Sequence, residues 1–229
     1  MLLFAGDSNF PAFCNGAFRT DEKAPPTAVL DRARAFFHAR GRGYSLWLRE
    51  TDADADLIEA AVAAGHRKIF DYPQMICRAP LEEKPLPDGV EIRRAADPDD
   101  IERFADINAS AYTAYGTPFE ATRSNFGRPD RLLAPHLASF LAFLDGKPVS
   151  CAQTLLSHGI AGVFWVGTLE AARGRGIAEA VTRAATNWGF SAGALDVQLQ
   201  ASPMGESVYR RMGYEDLYRY DFHLCAGPP

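Results

Sequence analysis

Val163-Phe164-Trp165-Val166-Gly167-Thr168-Leu169-Glu170-Ala171-Ala172-Arg173-Gly174-Arg175-Gly176-Ile177-Ala178 is the stretch on which the reading of this chain turns. It opens as an apolar strand run, crosses a loop with glycines two positions apart, and enters a helical pattern at Gly176. Glycine lets a backbone approach a ligand with no Cβ in the way. The first amides of a helix have no intrahelical partner and lie at its positive dipole end. Together these features make an anion site suited to a phosphate or pyrophosphate, with Arg173 and Arg175 adding charge beside it. A Walker loop is excluded because no Gly-Lys-Ser/Thr follows. A dinucleotide fingerprint is excluded because Glu179 stands where its third glycine would be. What remains is Arg173-x-x-Gly176-x-Ala178.

Working outward, the pattern predicts a strand over Val90–Arg94. A helix over Asp97–Ala111 follows, opened by Asp97 as N-cap and Pro98 in the first turn. A short helix is expected over Pro118–Phe126. A hairpin pairs Ser139–Leu144 with Pro148–Ser157 through Asp145-Gly146. Ile160–Leu169 is a further strand, running into the glycine loop and a helix over Gly176–Ser191. After them come a strand over Ala194–Leu199 and a second helix carrying Tyr209. The expected class is α+β (α/β mixed), a mixed, mostly antiparallel sheet flanked by helices.

Leu81–Gly89 carries four charges and two prolines, and reads as a linker between residues 1–84 and 85–229. The two parts resemble each other. Residues 60–77 (AAVAAGHRKIFDYPQMIC) align with 208–225 (VYRRMGYEDLYRYDFHLC), bringing Gly65 onto Gly213 and Cys77 onto Cys225 at one offset. Upstream, helix Thr27–Arg40 and strand Tyr44–Leu48 mirror Gly176–Ser191 and Ala194–Leu199. Both copies run helix, strand, helix, glycine, strand, which predicts a degenerate internal duplication, a tandem repeat. Each glycine falls where a left-handed helix cap is expected.

The loop Arg173-x-x-Gly176-x-Ala178 resembles the acyl-CoA pyrophosphate loop of the GNAT (GCN5-related N-acetyltransferase) superfamily. The likeness extends over 90–225, through Leu195–Leu199, Ser202-Pro203-Met204-Gly205-Glu206-Ser207-Val208-Tyr209 and Gly213-Tyr214. The layout is similar to bacterial members in which a truncated N-terminal half precedes an intact acetyltransferase domain; Asn15–Arg19 and Gln200–Gly205 with Tyr209 carry that closer likeness. The resemblance implies the GNAT acyl-CoA N-acyltransferase fold, with 1–84 a degenerate GNAT-like half and 85–229 the acetyltransferase domain. It implies acetyl-CoA as acyl donor, an amine as acceptor, no metal, and direct transfer within a ternary complex. Cofactor contacts are expected from Val166, Gly167, Thr168, Leu169, Arg173, Gly174, Arg175, Gly176, Ile177 and Ala178. In the family the strand ending near Thr168 splays from its neighbour and frees amides for the pantetheine arm, and one near Val166 or Gly167 would hold the oxyanion. Tyr209 is expected near the sulfur as the catalytic proton donor to the thiolate; a phenol of ordinary pKa near 10 faces a thiol near 8.5.

Two departures stand out. The N-terminal copy reads Arg19-Thr20-Asp21-Glu22-Lys23-Ala24-Pro25-Pro26 where a phosphate loop belongs, with acidic residues that repel phosphate and prolines that lack an amide donor. No CoA is expected there, and that half is assigned a structural or substrate-shaping role. The strand Gly162–Thr168 carries no carboxylate or imidazole, so the general base is open among Glu120, His136, His158 and a water chain. Glu170 follows the strand and caps the turn. Because the base is missing there, the alternative is a non-catalytic acyl-CoA-binding sensor or interaction protein on the same fold. A longer acyl chain is a third reading.

Tyr112–His136, with Tyr115, Phe119, Phe126 and Arg123, Arg128, Arg131, lies where acceptor loops sit in that family. It reads either as a pocket lining or as a helix-loop-helix with core aromatics. Aromatics among arginines also suit single strands, but a net charge of -5 over 229 residues and scattered Lys and Arg argue against nucleic acid. Cys151 and His158 have no orienting acid and read as structural. The four cysteines (Cys14, Cys77, Cys151, Cys225) form no C-x-x-C pair, and Met1–Phe10 is too short an apolar run for a signal or a span. A cytoplasmic protein with reduced thiols is expected, with no membrane partner, as a monomer or homodimer.

Overall fold

Two compact units emerge in a computed structural model of the chain, which describes residues 1–227. One comprises Met1–Gln74 and the residues from Leu217 on, the other Met75–Asp216. This division differs from the proline-rich stretch at 81–89. Those residues form no helix or strand but belong to the second unit. Leu81 donates its N–H to Asn187 Oδ1 (2.8 Å) and accepts from Asn187 Nδ2 (2.9 Å), and Lys84 pairs with Glu179 (3.4 Å).

In the first unit, β1 (Leu2–Ala5) leads through a one-turn segment α1 (Pro11–Cys14) to β2 (Asn15–Phe18). Then come α2 (Pro26–His38), β3 (Tyr44–Arg49), α3 (Ala55–Ala63) and β4 (Arg67–Cys77), the last reaching into the second unit. The C-terminal strand β10 (Glu215–Cys225) pairs antiparallel with β3, Tyr220 opposite Arg49 and Cys225 opposite Tyr44. Alternation on β3 sorts its faces. Tyr44, Leu46 and Leu48 pack with Val29, Leu30, Phe37, Leu57 and Ala61 of α2 and α3. On the other face Trp47 meets Phe4, Phe18, Tyr220 and Phe222. Arg19 is buried and bonds Asp54 Oδ1 through Nε (3.0 Å), while Asp54 also takes Arg49 (2.9 Å).

In the second unit the sheet order is β9 (Asp196–Gln200), β8 (Ile160–Thr168), β7 (Lys147–Ser157), β6 (Leu137–Leu144), β5 (Val90–Arg94). Among these five strands β8 and β9 run parallel and the other neighbours antiparallel. The expected strand at 90–94 and the Asp145-Gly146 hairpin are present, both turn residues having positive φ (50° and 77°). Helix α4 (Pro98–Tyr112) is capped by Asp97, whose carboxylate accepts the Asp100 N–H at 2.9 Å. The helix expected over 118–126 is split into α5 (Phe119–Arg123) and a 3-10 turn, Ser124–Phe126. After it comes α6 (Pro129–Leu132). Helix α7 (Ile177–Ser191) packs its buried Val181 and Ala185 into a core with Val163, Val197 and Leu199. Helix α8 (Glu206–Met212) ends at Gly213, whose φ of 103° is left-handed, as is Gly65 (83°) after α3. Among the described residues, no helix is long and apolar enough to cross a membrane.

Candidate functional site

The site starts where two strands part. β8 and β9 pair from Ile160/Asp196 to Val163/Leu199 and no further, so the rest of β8 has no β9 partner on that side. On its other side β8 stays with β7, Cys151 opposite Gly167 and Ser150 opposite Thr168. Leu169 donates to the Val149 carbonyl (2.9 Å). Antiparallel ladders alternate inward and outward amides. With Leu169 N–H turned to β7, the N–H groups of Thr168 and Val166 turn away from it, toward the gap.

The ladder slips between Cys151 and Gln153, so that Trp165 and Val166 together face Ala152. This is a β-bulge with its first residue, Trp165, at φ 53°. A left-handed tryptophan is unusual and persists only when surrounding contacts impose it. Those contacts are visible. Asn108, fully buried on α4, donates Nδ2 to the Trp165 carbonyl at 2.6 Å. The indole lies 5.4 Å from the Tyr112 ring and 5.3 Å from Phe126. Ser150 Oγ donates to the Gly167 carbonyl (2.8 Å) and meets Thr168 Oγ1 (2.7 Å). A Cβ on Gly167 would stand 3.1 Å from Ala111 Cβ and 3.3 Å from Asn108 Nδ2, so α4 comes this close only because residue 167 is glycine.

Beyond Thr168 the chain makes a 3-10 turn, Glu170–Ala172, and enters the glycine loop. Arg173 Nε donates to the Thr168 carbonyl (3.2 Å). Gly174 and Gly176 both have φ of 75°, which glycine adopts without strain. Gly176 caps α7 with no side chain, so the amides of 176–179 face outward unpartnered by the helix.

The cleft so formed has a volume of about 220 Å³ and is lined by Val166, Gly167, Thr168, Arg173 and Ala178, facing Tyr112, Tyr115, Ser202, Met204 and Tyr209. Tyr115 and Ser202, both in that lining, share a hydrogen bond of 2.9 Å. Tyr209 on α8 is buried, and that burial, with Tyr115 nearby, pushes its phenol above the ordinary range. Burial likewise pushes the Cys151 thiol up to about 12, leaving no nucleophilic thiolate at neutral pH.

Of the residues singled out from sequence, the structure brings Val166, Gly167, Thr168, Arg173, Ala178 and Tyr209 to one cleft. Gly174, Arg175 and Gly176 are exposed on the adjoining loop, and Ile177 is buried beneath it. Leu169 spends both backbone groups internally, its N–H on Val149 and its carbonyl on Ala172. Glu120, His136, His158 and Glu170 are exposed and do not line the cleft. In the 112–136 segment, Tyr112 and Tyr115 reach the cleft while Phe126 is core and Arg123 pairs with Asp106 (2.8 Å). Sequence reasoning missed Asn108 and Ser150; a polar residue inside a helix or strand pattern carries no local sign of the partner it meets.

An open parallel pair, a bulged strand and a glycine loop at a helix N-terminus define an acyl-CoA acyltransferase type of fold. The sequence model of the Acetyltransferase (GNAT) family matches residues 101–214. The chain is 30% identical over 104 residues to the aminoglycoside N(6')-acetyltransferase type 1 of Salmonella typhimurium, covering 40% of this chain and 72% of that one. It is 27% identical over 215 residues to the mycothiol acetyltransferase of Pseudarthrobacter chlorophenolicus, covering 87% of this chain and 65% of that one. A solved GCN5-related N-acetyltransferase from Kribbella flavida superposes with a TM-score of 0.74 at 25% identity, covering 98% of this chain and 88% of that chain. The chain belongs to the GNAT family of acetyltransferases.

Proposed function

We propose that the protein transfers an acetyl group from acetyl-CoA to an amine by direct attack. The observation that carries this is the parting of β8 and β9 at Val163/Leu199, which opens the Val166 and Thr168 amides onto a cleft leading to Gly174–Ala178. The pyrophosphate would lie on the amides of the glycine loop and the α7 N-terminus, with Arg173 and Arg175 adding charge. The pantetheine arm would pair with Val166 and Thr168 as a short strand, an edge role open to them because β9 has left.

The amine nitrogen attacks the thioester carbon, and the carbonyl oxygen takes negative charge against the Val166 N–H. As the intermediate collapses, the C–S bond breaks and the electron pair leaves on sulfur. The nitrogen sheds a proton as the amide forms, and the thiolate gains one, giving amide and free CoA thiol. A buried phenol with a raised pKa holds its proton firmly. Tyr209 therefore donates a hydrogen bond to sulfur and relays the proton that nitrogen releases, rather than supplying one outright. The first unit, which repeats the helix-strand-helix-glycine-strand order without a glycine loop, serves as a degenerate copy that binds no CoA.

A second reading is favoured by one observation: among the described residues lining the cleft there is no carboxylate or imidazole. On that reading the protein binds acyl-CoA as a sensor without turnover. Thiol release from acetyl-CoA, measured against a panel of primary amines spanning pKa values and charges, separates the two. Amine-dependent thiol release supports the enzyme. Saturable acetyl-CoA binding with no release for any amine supports the sensor.

A further inference from the structure

Asn108 is unlike the other polar residues near the cleft. It is fully buried on α4 and is not among the residues that line the cleft. Its Nδ2 lies 2.6 Å from the Trp165 carbonyl and 3.6 Å from Cys151 Sγ, while its Oδ1 meets no partner among the described residues. A buried amide oxygen left unsatisfied costs free energy.

The consequence follows from peptide geometry. In a planar trans peptide the C=O and the next residue's N–H point in opposite directions. Holding the Trp165 carbonyl on Asn108 therefore turns the Val166 N–H away from Asn108, toward the side on which β9 has parted from β8. The strained left-handed φ of Trp165 is where the chain would otherwise relax, and the Asn108 bond lies across that same peptide. Gly167 supplies the clearance, since any Cβ there would press on Asn108 and Ala111. The thiol of Cys151, 3.6 Å from the same carbonyl, is too weak a donor to replace the amide.

We infer that Asn108 is a positioning residue: by holding the Trp165 carbonyl it fixes the Val166 N–H toward the thioester carbonyl of the bound acyl donor. This rests on the acetyl-CoA reading of the cleft. The role acts through the backbone, so Asn108 touches neither donor nor acceptor.

The test is isotope-edited infrared spectroscopy of acetyl-CoA labelled with carbon-13 at the thioester carbonyl, bound to wild type and to Asn108→Leu. A hydrogen bond to that carbonyl moves its band to lower frequency. The expected result is a clear downward shift in wild type that falls by about half or more in the variant, while the affinity for CoA without its acetyl group changes less than about threefold. Should the leucine variant not fold, Asn108→Ala removes the donor with less bulk and is judged by the same band. A merely structural tie between α4 and the sheet would lower thermal stability and leave the band where it is, which overturns the inference. A wild type that binds acetyl-CoA with no shift also overturns it and leaves the cofactor site intact. A wild type that binds no acetyl-CoA overturns the reading of the cleft and this inference with it.

Discussion

Replacing the loop glycines by alanine separates two things a glycine provides. At Gly174 an added Cβ would meet nothing within 4 Å, and at Gly176 only the Pro87 ring carbon at 3.7 Å. Space is therefore not at issue. Both residues have φ of 75°, where an ordinary L side chain costs about 1–2 kcal/mol. Each alanine variant should lose about that much stability, or roughly 2–8 °C in melting temperature for a domain of this size. Asparagine tolerates the left-handed region better, so Gly174→Asn and Gly176→Asn should lose less than their alanine counterparts. Acetyl-CoA affinity should follow the same order, because relaxing φ rotates the amides proposed to receive the pyrophosphate. Scanning calorimetry and titration of the four variants read both quantities. If asparagine were as damaging as alanine at Gly174, backbone conformation would not be what that position demands, and the reasoning would fail.

Removing Asp54 should unsettle the first unit. Arg19, whose side chain is 1% exposed, would keep the exposed Asp56 as its carboxylate partner beside the Ala24 and Ala53 carbonyls, and Asp54→Ala should cost about 3 kcal/mol, read by urea unfolding. His66 and His223 are held below their ordinary pKa chiefly by burial. For His66, His223 and Arg34 add to the effect; for His223, Lys68 adds while Asp221 opposes. Since the unfolded chain then binds more protons, stability is full above about pH 6.5 and falls as pH drops through it. His223→Leu should flatten that part of a stability–pH curve, and an unchanged slope would exclude His223 as a source. Tyr209→Phe should leave CoA affinity near wild type and lower amine-dependent thiol release about 100-fold or more; equal turnover would remove Tyr209 from the chemistry.

Much of this was legible in the sequence because the local signals were strong. Asp97-Pro98 announced the start of α4, Asp145-Gly146 the hairpin, and Gly174 and Gly176 the turn into α7. The strand over 160–169 was also legible, but not its bulge. A tryptophan in a left-handed conformation runs against local preference, and Trp165 adopts it because Asn108, Tyr112 and Phe126 surround it from elements far off in sequence. Leu81–Gly89 showed its lack of regular structure through its prolines. Its attachment to α7 through Asn187, over a hundred residues away, left no local trace. The pairing of β10 with β3 is equally non-local, and it is why the C-terminal residues count with the first unit rather than with the segment they follow.

Calorimetric titration of acetyl-CoA into wild type and Gly176→Trp decides whether the loop at Gly174–Ala178 receives an acyl-CoA pyrophosphate. With folding of the variant checked by circular dichroism, the expected result is one-site binding to wild type that the tryptophan abolishes by blocking the approach to the amides. Binding that survives in the variant, or no binding by the wild type, would contradict it.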